Sequence, residues 1–190
     1  PLAGAYLIEQ ERFTDDRGFN ARVWKPRSSV KRGFNARVWC ESEFREAGLP
    51  TDLSQVNVIS NRKKGTLRGL HFQHHPFEET KLFRVTRGAM YDVIVDLRPD
   101  SETFLKWTSV ELRADEGTML FVPACFGQGF QTLEDNTELT YQVSNPYTPD
   151  YGDGFRYDDQ LFNIDWPMSP TVISEKDSGW PAFNPEVLTK

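Results

Sequence analysis

Residues 66–97, TLRGLHFQHHPFEETKLFRVTRGAMYDVIVDL, limit what this chain can fold into more than any other stretch. Three short runs, 66–73, 80–87 and 89–97, are rich in Val, Leu, Ile and Phe and are separated by turn residues. That pattern predicts consecutive strands of an antiparallel sheet. In MYDVIVDL, Tyr91, Val93, Val95 and Leu97 share one face, while Met90, Asp92, Ile94 and Asp96 share the other. In KLFRV, Lys81 shares a face with Phe83 and Val85, so its ammonium is expected among apolar neighbours. Regular alternation puts Arg68 and His71 on opposite faces. Both can serve one site only if the strand bends, and Gly69 is the candidate for that bend.

Set into these strands are residues a core does not need: Arg68, His71, Lys81, Arg84 and Asp92. A base, a cation and a carboxylate on neighbouring strands are the materials of proton-transfer chemistry. Singly, each has a plain structural explanation. Strand histidines are mostly hydrogen-bonded structure, and an edge lysine discourages aggregation. Asp92 in an apolar strand must find a partner. The combination is what points to chemistry.

The chain of 190 residues is expected to form one domain spanning 1–190, large enough to bury a core without staples. A net charge of −6 and the lack of a basic cluster argue against a nucleic-acid partner. No apolar stretch approaches the roughly 20 residues that span a bilayer, so no membrane partner is expected. Cys40 and Cys125, far apart and without metal spacing, suggest a reducing compartment, and the cytoplasm is the expected location.

Further strands are expected at 5–10, 55–60, 104–112, 118–123 and 138–143, with one short helix in ESEFREAGLP (41–50), where Phe44 faces inward and Gly48 stops the helix. From Asn145 onward the chain is rich in Pro, Gly, Asp and Tyr, and reads as an ordered aromatic wrap. Many short strands and almost no helix give an all-β fold, an antiparallel jelly-roll sandwich or barrel with a few short helices. The octapeptide RGFNARVW occurs at 17–24 and again at 32–39. Two copies do not make a solenoid. The repeat reads as a tandem duplication, with one copy pairing in the sheet and the surplus looping out.

In order along the chain stand GTLRGLHFQ, ETKLFRVTRGAMYDVIVDLR, KWTSVEL, MLFVPACFGQGFQTL, ELTYQV, IDWP and ISEKD. Together they resemble the dTDP-4-dehydrorhamnose 3,5-epimerases, cupin-type jelly-roll enzymes of deoxysugar biosynthesis. The resemblance covers nearly the whole chain apart from the duplicated segment. It implies His71 as the catalytic base, Asp177 as the carboxylate paired with it, and Tyr141 as the acid on the opposite side of the sugar. Arg68, Lys81 and Asp92 match the surrounding charged shell, and Gln55 and Asn57 lie where family members contact the ligand. The RGF segment resembles one that helps to hold the nucleotide, often of a neighbouring subunit in a homodimer; Arg17 to Phe19 or Arg32 to Phe34 could fill that place.

The chemistry explains these residue types. A 4-keto sugar has acidic hydrogens at C3 and C5, because either carbanion delocalises into the C4 carbonyl. A histidine fixed by an aspartate can take such a proton, a lysine or arginine near O4 can stabilise the enolate, and a phenol across the ring can return a proton to the other face. No cofactor is required. The implied partner is a nucleotide-sugar, most simply dTDP-linked.

Two departures stand out. Family members usually carry His where this chain has Gln128, which hydrogen-bonds but does not titrate. Arg22 or Arg37 stands where Glu is common, which leaves the nucleotide base open. Three rival readings remain: a metal-dependent cupin using His71, His74, His75 and Glu78 or Glu79; a C3-only epimerase or ketoisomerase on the same scaffold; and a non-catalytic nucleotide-sugar-binding relative.

Overall fold

The computed structural model describes residues 2–15, 18–23 and 34–189, with side chains described over 2–9 and 37–188. In chain order the strands are β1 (Tyr6–Ile8), β2 (Gln10–Asp15), β3 (Gly18–Val23), β4 (Phe34–Ala36), β5 (Gln55–Asn61), β6 (Leu67–Gln73), β7 (Lys81–Arg87), β8 (Ala89–Asp96), β9 (Trp107–Arg113), β10 (Met119–Val122), β11 (Phe126–Thr132), β12 (Thr137–Val143) and β13 (Gly152–Gly154). Two short helices, α1 (Glu41–Glu46) and α2 (Glu175–Ser178), lie outside them. One five-stranded sheet runs β1-β10-β7-β12-β5 and a second runs β13-β6-β11-β8-β9, and every pairing in both is antiparallel.

The alternation in the strands decides the layers. Phe83, Val85, Leu120 and Leu139 from the first sheet meet Met90, Ile94, Leu112, Phe126 and Phe130 from the second, and these residues form the sandwich interior. The opposite face of the second sheet carries Leu70, Phe72, Val93, Val95 and Leu97, and it is covered by Phe155, Phe162 and Phe183 of the C-terminal wrap. The outer face of the first sheet buries Ile8, Leu82, Met119 and Phe121 under Phe44 of α1. β8 is therefore apolar on both faces, and that is why its sequence reads as a nearly continuous hydrophobic run. Burying each wrap phenylalanine contributes roughly 1.5–3 kcal/mol.

Besides β2 and the short β13, which extend the expected strand set, β11 and the repeat differ from the sequence expectation. β11 (FGQGFQT) lies at the centre of the second sheet, between β6 and β8, yet its glycines hide it from a propensity reading. The structure gives the reason for them. A Cβ on Gly127 would lie 2.7 Å from the Phe155 ring, and one on Gly129 would lie 2.8 Å from the Arg68 carbonyl oxygen. The second difference concerns the repeat. Both copies place a strand in a third sheet, β2-β3-β4, and neither β3 nor β4 pairs with the five-stranded sheets. The copies lie parallel, Phe19 opposite Phe34, Asn20 opposite Asn35 and Ala21 opposite Ala36.

Candidate active site

The cavity of interest has a volume of about 340 Å³ and draws its walls from both sheets and the C-terminal wrap. Register sets one wall. Gln55, Val143 and Lys81 are paired across β5, β12 and β7, and Asn57, Tyr141 and Phe83 form the next row of the same face. Gln55, Asn57, Lys81 and Tyr141 thus line one side by simple alternation. β6 supplies Arg68 and His71 from the other sheet.

The expected bend in β6 is present. His71 pairs with Gln128 and Arg68 with Phe130, so three steps along β6 match two along β11. This bulge brings Arg68 and His71 onto one cavity. Gly69 sits in it at φ +112°, and a Cβ there would lie 2.5 Å from the Gly129 Cα. Glycine is required on both counts.

His71 Nε2 lies 2.6 Å from Asp177 Oδ1, with the His71 side chain 42% exposed and that of Asp177 7% exposed. Asp177 opens on α2, where Ser174 caps the helix and accepts a bond from the Asp177 amide at 3.0 Å. The Gly69 amide donates to Asp177 Oδ2 at 3.4 Å. Burial opposes the charge on Asp177, but the His71 hydrogen bond, the imidazole's charge and the Gly69 amide outweigh it and hold the carboxyl below its usual range. An anionic carboxylate so placed fixes the imidazole's orientation and tautomer.

Across the cavity Tyr141 stacks on Phe83 with ring centroids 5.5 Å apart. Burial raises the phenol's pKa, the Glu79 charge raises it further, and Arg68 acts in the opposite direction. The Lys81 ammonium, its side chain 10% exposed, pairs with Glu79 at 3.1 Å. Arg68 Nε donates to Asn61 Oδ1 at 2.9 Å.

Asp92 and Gln128 sit elsewhere than the sequence suggested. Neither lines the cavity. Asp92 is fully buried, and Gln128 Nε2 donates to its Oδ1 at 2.9 Å while Oδ2 has no partner. The alternation already placed Asp92 beside Met90 and Ile94, which belong to the sandwich interior. Burial pushes the Asp92 pKa up to about 7, against the Gln128 hydrogen bond and the Lys81 ammonium. Arg17 and Arg32 lie outside the described residues, and Phe19 and Phe34 are placed only as the register pair of β3 and β4. Arg37 pairs with Glu43 at 2.8 Å.

The three histidines do not converge on a metal. His71 turns to Asp177, His74 to Asp153 at 2.8 Å and His75 to Glu78 at 3.1 Å. Among the described residues no three His, Cys, Asp or Glu side chains are grouped to hold an ion. Sequence reasoning missed several lining residues: Gln73, Tyr147, Asp153 and Lys176, and Glu79 as anything but a metal ligand. The spacing of Glu79 and Lys81, two apart in extended chain, was the available signal for the last of these.

The jelly-roll sandwich thus holds the His71–Asp177 pair and Tyr141 in one cavity. The family model for dTDP-4-dehydrorhamnose 3,5-epimerase matches residues 26–185, a span that includes the second RGFNARVW copy and leaves out the first. A dTDP-4-dehydrorhamnose 3,5-epimerase of Sinorhizobium fredii is 44% identical, over 96% of this chain and 86% of that protein. The crystal structure of a Bacillus anthracis dTDP-4-dehydrorhamnose 3,5-epimerase with TDP and PPi bound superposes with a TM-score of 0.84 at 37% identity, covering 95% of this chain and 94% of the other. A 3'-monoepimerase from Streptomyces bikiniensis in complex with dTDP-quinovose gives a TM-score of 0.80 at 29% identity, covering 95% and 84%. The chain belongs to the dTDP-4-dehydrorhamnose 3,5-epimerase family, a family of isomerases. Among the described residues no helix is long and apolar enough to cross a membrane.

Proposed function

We propose that this protein epimerises a nucleotide-linked 4-keto-6-deoxy sugar, dTDP-linked as in its named relatives, at C3 and C5. The observation that carries the reading is the 2.6 Å contact between His71 and Asp177 in the same cavity as Tyr141. Asp177 fixes one imidazole nitrogen and leaves the other to take the proton alpha to the carbonyl. The electron pair moves into the C4 carbonyl, and Lys81 stabilises the resulting enolate oxygen. Tyr141, kept protonated by burial and by Glu79, returns a proton to the opposite face of the same carbon, which inverts it. The Tyr141 phenolate and the His71 imidazolium then exchange their protons with solvent, so each inversion brings in one solvent hydrogen. No cofactor enters these steps.

Arg68, Gln55 and Asn57 hold the substrate, and the RGF segment of one copy, Arg17 to Phe19 or Arg32 to Phe34, holds the nucleotide. Asp92 and Gln128 act from behind the cavity wall. The protein works as a single-domain homodimer in the cytoplasm, where its free thiols Cys40 and Cys125 are stable. Inversion at C3 alone is the second reading, favoured by the likeness to the 3'-monoepimerase. Incubation with 4-keto-6-deoxy nucleotide sugars in D₂O, followed by NMR, distinguishes them. Deuterium at both centres supports the first reading and deuterium at C3 alone the second. Tight binding without any exchange leaves a binding protein.

A further inference from the structure

Glu79 has a place in the cavity that the acid–base pair does not explain. Its carboxylate is nearly buried, 9% exposed, and both oxygens are engaged. Oε1 lies 3.1 Å from Lys81 Nζ, and Oε2 accepts from Gln73 Nε2 at 2.8 Å. Gln73 is itself immobilised. Its amide nitrogen also faces the carbonyls of Phe77 at 2.8 Å and Pro146 at 3.2 Å, and its Oε1 accepts from the Thr148 amide at 2.6 Å. A rigid amide thus fixes a carboxylate, which in turn fixes an ammonium.

A lysine needs such a fixture. Its charge rides on a flexible four-carbon stem with no preferred fork geometry, so an unheld ammonium samples many positions. Catalysis by a charge depends on its being in place before the reaction starts. We propose that Glu79 is the positioning residue of this cavity, clamping the Lys81 ammonium where the enolate oxygen forms. The inference rests on the epimerase reading of the site. Glu79 has a second effect, on Tyr141. The charged groups that share the cavity with that phenol are Glu79, Arg68, Lys81, Lys176, Asp153 and the His71–Asp177 pair. Glu79 is the anion among them that raises the Tyr141 pKa, and it keeps the proton donor loaded.

A purely structural Glu79, one that only ties the loop before β7 to β6, predicts different behaviour. Glu79→Gln keeps the shape and the hydrogen-bonding capacity but removes the charge. We expect kcat to fall about tenfold to hundredfold with KM within about twofold, since a misplaced catalytic group costs transition-state rather than ground-state binding. In a Lys81→Met background the same change should add little, because the group it positions is gone. A full independent loss in that background would overturn the proposal.

A readout without turnover completes the test. With ¹³Cζ-labelled tyrosine, the Tyr141 resonance of Glu79→Gln should titrate at lower pH than in the wild type, and an unmoved titration would contradict the electrostatic role. Failure of the epimerase reading itself looks different. A wild type inert on every 4-keto sugar, with the Tyr141 titration still shifted, would remove the enolate and Lys81's role at it. It would leave Glu79 as the group that sets the charge of a binding cavity.

Discussion

Gln128 donates its side-chain amide to the buried Asp92 at 2.9 Å, and neither residue lines the cavity. The other Asp92 oxygen is unpartnered, and burial raises the carboxyl's pKa to about 7. A carboxyl whose pKa is higher folded than unfolded binds more protons in the native state. Stability is therefore highest below about pH 4 as far as this group is concerned, declines as pH rises toward 7, and stays reduced above it. Asp92→Asn should stabilise the protein at pH 8 by on the order of a few kcal/mol, with the gain vanishing near pH 4. Urea titrations of both proteins across that range read the difference directly.

Gly69→Ala tests the bulge that brings Arg68 and His71 together. The added Cβ meets backbone at 2.5 Å and imposes a left-handed φ on alanine. Such strain costs about 1–3 kcal/mol or more. The expected result is a lower denaturation midpoint together with loss of epimerase activity, because the Gly69 amide also donates to Asp177.

That bend was legible in the sequence because period-two alternation failed at one glycine. The two faces of β7 and β8 were legible for the same reason. β11 was not, since Gly127 and Gly129 are chosen for the backbone and ring that crowd them, and a single sequence carries no trace of that crowding. Alternation also says which face Asp92 occupies but not how deep along the sandwich it lies. That is why a residue expected in the charged shell of the site is found buried and not among the cavity's lining residues. The Gln73–Glu79–Lys81 chain depends on contacts between segments that only tertiary structure brings together.

The repeat offers a test of modularity. Deleting residues 21–35 leaves a single uninterrupted RGFNARVW. Among the described residues both copies pair only within the small third sheet, so the two five-stranded sheets should be untouched. The melting temperature should stay within a few degrees of the parent, as insertions outside the core are well tolerated. A large drop measured by calorimetry would show that the second copy supports the sandwich.

Asp177→Asn and Tyr141→Phe should separate the two proton steps. The first keeps a hydrogen-bonding partner for His71 but replaces the carboxylate that holds the imidazole and its tautomer, so exchange and inversion should fall together. The second leaves abstraction intact, so deuterium exchange survives while net inversion drops. General acid–base groups contribute about 10²–10⁴-fold each. Paired NMR measurements of wash-in and of epimer ratio detect both patterns.

The most direct measurement of the central claim is deuterium wash-in by His71→Asn on a 4-keto-6-deoxy nucleotide sugar, read beside its binding constant for the same ligand. If His71 is the base that Asp177 holds, exchange at C3 and C5 should be lost while affinity stays nearly unchanged. Exchange persisting at the wild-type rate in that variant would contradict the account.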